Sequence, residues 1–290
     1  MPELPEVETV ARGMKSLEGR VLTYLQILDA KVWFESEFIP AEFHGECLRE
    51  VSRRGKYILY RFAPQKILVQ HLRMTGKMLD RNSLAIPTVV KNQIGTDGEK
   101  ARQARAIFSF SNKEVVFFDP RRFGTLSAIR SEANFFGQKN IAPDPLHQPD
   151  EAREKFLQSL NSERPLKATL LDQSAVAGVG NIYADEALFA LGIHPLMPTR
   201  KLRRKEDLWE KIIQLFQRAI QSGGTSVYNY VNSDGESGTF ANLLQVYGKT
   251  GESCLRCGGK IRAQTIAGRT SHFCGRCQKK SDSYSKKRSG

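Results

Sequence analysis

Cysteine is scarce in this chain, with five in 290 residues, and that scarcity excludes a disulfide-stapled secreted scaffold. Runs of apolar residues long enough to span a bilayer are lacking, and no signal peptide opens the chain. The expectation is a protein of the cytoplasm, with no membrane partner. Internal repeats are lacking too, which excludes solenoids and propellers. Acidic residues fall short of basic ones, 31 against 44, for a net charge of +13. That deficit favours a polyanionic partner, nucleic acid before a membrane surface. A hydrophobic fraction of 40% with 26% charged residues fits a globular chain. The length suffices for two domains and a small module.

Pro5 to Leu17 reads as a helix, with Val7, Val10, Ala11, Met14 and Leu17 on one face and Gly19 as the stop. From Arg20 to about Arg130 the pattern becomes short strands rich in branched and aromatic residues: Arg20–Leu28, Leu48–Arg53, Tyr57–Phe62, Lys66–Leu72, Ala106–Phe110 and Val115–Phe118. A β-sandwich with a flanking helix follows, over 2–139. Residues 82–105 carry Pro87, Gly95 and Gly98 and read as a long surface loop. Residues 140–148, with Pro143 and Pro145, read as a linker. Helical spacing then governs Asp150–Leu160, Pro165–Asp172, Ile182–Leu191 and Lys205–Ser222, within a domain spanning 149–245. Inside it, the polar, glycine-rich stretch 223–242 reads as a loop able to close over a ligand. A cysteine module at 246–279 and a basic, disordered tail at 280–290 complete the chain. The fold class is thus α+β and multidomain.

Cys254-x2-Cys257 and Cys274-x2-Cys277, sixteen residues apart, have the spacing of a four-thiolate site for one structural Zn²⁺. Two short strands around Ala267-Gly268 place Arg269 near the tip of a metal-held hairpin. His272 reads as a surface residue, and Cys47 as a buried free thiol. Gly178-Val179-Gly180-Asn181 opens a helix, where backbone N–H groups can meet a phosphate. Lys167, on the preceding helix, is either a second charge on that phosphate or a solvated side chain. Asp119-Pro120-Arg121-Arg122-Phe123-Gly124 and His71-Leu72-Arg73-Met74-Thr75-Gly76 place large side chains at strand ends. Met74 and Phe123 are suited to wedge into a base stack and Arg121 to bond a base edge. The bland alternative puts Met74 and Phe123 in the core and pairs Arg121 with Asp119.

The first six residues carry the chemistry. Removal of Met1, favoured by the small Pro2, leaves a secondary α-amine with a pKa near ~8. Such an amine attacks a sugar aldehyde carbon to give an iminium, an electron sink for neighbouring bonds. Glu3 beside it can move protons.

Together these motifs resemble the formamidopyrimidine-DNA glycosylase family over nearly the whole chain. The resemblance rests on Pro2-Glu3-Leu4-Pro5-Glu6, Lys56, the Met74 loop, Asp119–Gly124, Gly178–Asn181 and the cysteine hairpin. It implies Pro2 as the nucleophile at C1′, Glu3 as proton donor and Glu6 as a supporting carboxylate. It implies Lys56 and Arg269 in the elimination steps, and Asn181, Lys167 and Arg269 on phosphates. Met74, Arg121 and Phe123 become the void-filling trio, Pro165–Leu191 the helix–two-turns–helix, and 223–242 the lesion-covering loop. Arg102 stands where the family commonly has a histidine and is a further candidate DNA contact. The implied reaction is excision of oxidised purines from duplex DNA, then β,δ-elimination, by a monomer in a bacterium-like, nucleoid-containing cytoplasm. Two alternatives stay open: an endonuclease VIII-like enzyme for oxidised pyrimidines, and a non-catalytic DNA-binding protein of the same fold.

Overall fold

In the computed structural model of the chain, residues 1–81, 103–225 and 238–280 are described. Arg102, most of the 82–105 and 223–242 loops, and the tail from 281 lie outside those residues. The chain forms two compact units: Met1–Asn140 with Arg218–Ala241, and Ile141–Gln217 with Asn242–Gly290. This differs from a division in chain order, because the segment following the long helix returns to the first unit.

The first unit opens with helix α1 (Leu4–Met14) and continues in strands β1 (Val21–Ile27), β2 (Glu46–Cys47), β3 (Glu50–Arg54), β4 (Tyr57–Ala63), β5 (Lys66–His71), β6 (Lys77–Asp80), β7 (Ala104–Phe110), β8 (Lys113–Phe118) and β9 (Thr125–Ile129), followed by helix α2 (Glu132–Gln138). A five-stranded sheet runs β2-β1-β7-β8-β6 and a four-stranded sheet runs β3-β4-β5-β9. The pairings are antiparallel. Leu22, Phe108 and Phe117 from one sheet share a buried cluster with Val51, Phe62 and Leu68 from the other. The rings of Tyr60 and Phe108 meet across it at 5.9 Å. Val7, Val10 and Met14 of α1 enter the same cluster, so the apolar face read from the sequence anchors the N-terminus to the sandwich core. The strands β2, β6 and β9 and helix α2 escaped the sequence reading. β2 has two residues and β6 four, too short for a periodic signal. Cys47 is a correction: it lies exposed on β2, at the edge of its sheet.

The second unit contains α3 (Pro149–Ser159), α4 (Leu166–Leu171), α5 (Asn181–Ala190), most of α6 (Lys205–Gln221), and the hairpin of β10 (Ile261–Ile266) and β11 (Arg269–Cys274). Phe156 packs on Trp209, ring centres 5.6 Å apart, and Tyr183 meets Phe216 edge-on at 5.3 Å. The boundary between the two units falls within 140–148, at Asn140 and Ile141, and the stretch is ordered. Ala142 and Asp144 are buried, and Asp144 Oδ1 accepts the backbone N–H groups of Leu146 and His147. At the hairpin tip Ala267 and Gly268 both have positive φ, 50° and 71°, the backbone that a two-residue turn between twisted strands requires.

Candidate active site and nucleic-acid interface

The N-terminus is held by carboxylates of α1. Glu3 caps the helix, and Pro5 lies in its first turn, where a missing N–H costs nothing. Glu6, 2% exposed, accepts the Glu3 N–H at Oε2 (2.8 Å) and the Thr225 N–H at Oε1 (3.0 Å). One buried carboxylate thus fixes both the residue after Pro2 and the last described residue before 226–237. Pro2 itself is half-buried and Glu3 buried. Two residues further on, Glu8 accepts Arg12 Nε at Oε1 and Arg53 Nε at Oε2, both at 2.8 Å. Burial pushes the Glu8 carboxyl up, but Arg53 and Arg12 together outweigh it and hold it below its ordinary value. Arg53 also donates to the Gly55 carbonyl at 3.1 Å. Gly55 has φ +57°, so α1 reaches through Glu8 and Arg53 to the turn that carries Lys56. Lys56 is not the surface charge its sequence context suggests; it is buried, at 5% exposure.

The trio Met74, Arg121 and Phe123 sits on two turns of the same unit. Phe123 is 51% exposed, which overturns its reading as a core residue. The Arg121 guanidinium lies over the Phe123 ring at 4.7 Å, not against Asp119. Met74 is half-buried. Arg73 and Arg122, each directly before a member of the trio, have φ of +53° and +59°. The Arg73 N–H donates to His71 Nδ1 at 2.9 Å, and the Arg122 guanidinium donates twice to Asp29, at 2.6 and 2.9 Å.

In the second unit, Gly180 caps α5, and Gly178 has φ +88°. Gln173 braces this approach: its side chain donates to the carbonyls of Leu171 and Val179 and accepts the Gly178 N–H. Asn181, the first residue of α5, donates through Nδ2 to the Thr270 carbonyl at 2.8 Å, beside Arg269 on the hairpin. Arg269 is exposed at the start of β11. Lys167 requires a correction. Its side chain is 0% exposed, and Nζ donates to Asp185 Oδ1 at 2.6 Å and to the Asn181 carbonyl at 3.0 Å. A group so enclosed supports Asn181 and offers nothing to a phosphate. His272 is corrected too: its N–H and Nδ1 both meet Asp185 Oδ2, at 2.9 and 3.1 Å, so it is a strut and not a surface residue. Glu186 gathers the successive N–H groups of Gln245, Val246 and Tyr247 at 2.9–3.0 Å. Burial raises its pKa against the pull of those bonds.

The four sulfurs of Cys254, Cys257, Cys274 and Cys277 lie within 4.8 Å of one another. Two of the separations are 3.8 and 3.5 Å. Tetrahedral zinc with bonds of about 2.3 Å needs edges of about 3.8 Å, so the donor set fits one zinc ion. Four protein ligands leave no open position, and the metal's part is to hold the hairpin.

Glu8, Asp119, Gln173, Asp185 and Glu186 were missed as positioning groups. One signal was available. Asp185 and Glu186 are adjacent acids in a helix buried from Ile182 to Phe189, and acids so placed demand partners.

A two-sheet sandwich, the helix pair α4–α5 and a four-thiolate hairpin that fits zinc together define a class: zinc-bearing DNA glycosylases of the helix–two-turns–helix kind. Comparison with known proteins places the chain within it. The formamidopyrimidine-DNA glycosylase N-terminal domain matches residues 1–126, its H2TH domain 141–230, and the zinc finger found in FPG and IleRS 251–280. The formamidopyrimidine-DNA glycosylases of Lactococcus lactis subsp. cremoris and Streptococcus pyogenes serotype M3 are 36% and 37% identical to it. These matches cover 97% of this chain and 100% and 99% of theirs. The crystal structure of Lactococcus lactis Fpg with DNA containing an abasic site superposes with a TM-score of 0.82 at 33% identity, covering 96% of this chain and 99% of that one. MutM in complex with DNA containing carbocyclic 8-oxo-G gives 0.80 at 34% identity, with the same coverage. The chain belongs to the formamidopyrimidine-DNA glycosylase family of base-excision repair glycosylases with AP lyase activity. Among the described residues no helix is long and apolar enough to cross a membrane.

Proposed function

We propose that this chain excises 8-oxoguanine and formamidopyrimidines from duplex DNA and then cleaves the strand, acting as a monomer in a bacterial cytoplasm. Pro2, freed of Met1, is the nucleophile. Its nitrogen lone pair bonds to C1′ as the glycosidic bond breaks. The base leaves with that bond's electron pair and takes up a proton in exchange for the one the Pro2 nitrogen gives up. Glu3 delivers a proton to the sugar ring oxygen as the ring opens. The resulting iminium acidifies the C2′ proton. Loss of that proton expels the 3′ phosphate, a second elimination expels the 5′ phosphate, and water hydrolyses the adduct to release Pro2. Lys56, Asn181 and Arg269 hold the phosphates flanking the lesion. Arg269 also serves the elimination, and Glu6 keeps Glu3 in place. Met74, Arg121 and Phe123 fill the space vacated by the flipped nucleotide. Arg102 remains a proposed backbone contact. Lys167 acts only through Asn181.

The observation that carries this reading is the buried Glu6 carboxylate. It fastens the Glu3 amide and the Thr225 amide at once, which fixes an N-terminus that would otherwise fray. Borohydride trapping on duplex bearing 8-oxoguanine opposite cytosine tests it, with intact-mass measurement to establish that Met1 is gone. The wild type should give a covalent adduct and Pro2→Gly should lose it. An equal adduct yield from Pro2→Gly would refute the mechanism. Faster turnover of thymine glycol than of 8-oxoguanine would move the substrate class to oxidised pyrimidines.

A further inference from the structure

The wedge side chains Met74 and Phe123 come from turns 49 residues apart in sequence, and one side chain joins them. Asp119 is 0% exposed. Its Oδ2 accepts the N–H of Phe123 at 2.7 Å and that of Gly124 at 2.6 Å. Its Oδ1 accepts the hydroxyl of Thr75, the residue after Met74. Its backbone carbonyl accepts Arg105 Nε at 2.8 Å, which anchors the aspartate to β7. One carboxylate therefore holds the backbone on which Phe123 is mounted and the neighbour of Met74 in a single rigid unit.

Both turns need such a device. Arg73 and Arg122 occupy left-handed backbone, which side-chain-bearing residues adopt only where the surroundings enforce it. There is no slack to absorb a shift. A Cβ on Gly124 would stand 2.5 Å from Phe117 Cζ and 3.2 Å from Asp119 Oδ2, and one on Gly76 would stand 2.4 Å from the Leu72 carbonyl oxygen. The Phe123 ring and the Arg121 guanidinium project from this packed base towards solvent.

We propose that Asp119 is a positioning residue that locks the Met74 and Phe123 turns together, so that the wedge enters the base stack preformed and not as two independent side chains. The proposal rests on the reading of Met74, Arg121 and Phe123 as the void-filling trio. It predicts that loss of Asp119 damages action on duplex DNA, where a hole must be filled, and spares the chemistry at Pro2.

The test compares Asp119→Ala, Asp119→Asn and Phe123→Ala on one abasic oligonucleotide, single-stranded and in duplex, by the rate of borohydride-trapped adduct. Insertion is followed separately by 2-aminopurine fluorescence opposite the lesion. An asparagine can accept both N–H groups at its oxygen and donate to Thr75 in reverse, so it should keep most of the lock. Asp119→Ala should lower the duplex-to-single-strand rate ratio by roughly a hundredfold and abolish the fluorescence change, with Asp119→Asn close to wild type. If Asp119→Ala lowers both rates equally, the aspartate is merely structural and the proposal is wrong. If Phe123→Ala leaves the ratio unchanged, the wedge reading fails and takes the proposal with it. If Phe123→Ala lowers the ratio and Asp119→Ala does not, the wedge stands and the positioning role alone is refuted.

Discussion

The two units use the same small devices at different depths. Each braces a proposed site residue through a carboxylate shared between two cations or a cation and a strut. In the first unit Glu8 joins Arg53 to Arg12 behind Lys56, and the glutamate side chain stays 11% exposed. In the second, Asp185 joins Lys167 to His272 behind Asn181, with side chains 0% and 1% exposed for lysine and aspartate. A carboxylate that water can reach tolerates loss of a partner. A dry pair does not, because removal of one charge strands the other. Depth of burial, and not the type of contact, sets what each device contributes.

The largest effect expected is therefore in the second unit. Asp185→Ala leaves the Lys167 ammonium buried without its carboxylate and should cost about 3–5 kcal/mol. Glu8→Ala leaves the Arg53 side chain, itself 0% exposed, with the Gly55 carbonyl, but it opens a position that water already reaches, Glu8 being 11% exposed, and should cost about 1–3 kcal/mol. Denaturant titration of the zinc-loaded protein measures both. The double variant Asp185→Leu with Lys167→Met should recover most of the loss, since an apolar pair leaves no charge stranded. A smaller cost for Asp185→Ala than for Glu8→Ala would break the comparison outright.

A second matched pair sets a crowded turn against an open one. At Gly124 an added methyl meets the Phe117 ring at 2.5 Å, whereas at Gly268 nothing lies within 4 Å and only the φ of +71° resists it. Gly124→Ala should cost about 1–3 kcal/mol through overpacking and should slow excision by disturbing the wedge. Gly268→Ala should cost about 1 kcal/mol from the left-handed backbone alone, with Arg269 still presented. Thermal unfolding and duplex excision rates, measured together, check both. A Gly268→Ala variant more damaged than Gly124→Ala would show that the hairpin tip, and not the wedge, is the less forgiving turn.

What could be read from the sequence divides along the same line. The thiolate spacing, the glycines before α5, the branched and aromatic residues of β4 and β5 and the Pro2–Glu6 opening are local patterns, and local patterns survive in one dimension. Lys167 reads like any helix lysine until Asp185, eighteen positions on, is brought against it. Asp119 likewise shows a plausible local partner in Arg121, while its real partners include Thr75, 44 positions away. Cys47 went wrong for the opposite reason: its residue type favours burial, but a two-residue edge strand leaves its side chain outside. Long-range electrostatic pairings leave no periodic trace, and the positioning residues of this protein are mostly of that kind.

The smallest effect separates two histidines with the same local bond. His71 Nδ1 accepts the N–H of Arg73, and His194 Nδ1 accepts the N–H of Leu196, each two residues on. Burial drives the His71 pKa well below its ordinary value, helped by repulsion from Arg73, Lys56 and Lys139. Burial and Lys280 lower that of His194 less far. In the unfolded chain both titrate near ~6.5. Above that pH each ring is neutral folded or unfolded, and neither adds pH dependence. As pH falls below it, the unfolded chain takes up protons that the folded rings refuse. Stability then drops by at most about 1.4 kcal/mol per pH unit per histidine, until the folded pKa is reached. That window is wider for His71. Stability measured from pH 7.5 to 5 should thus fall less steeply in His71→Gln than in wild type, with His194→Gln between them. Parallel curves for wild type and His71→Gln would mean that the His71 ring takes its proton when folded and that its Nδ1 is not the acceptor holding Arg73 in left-handed backbone.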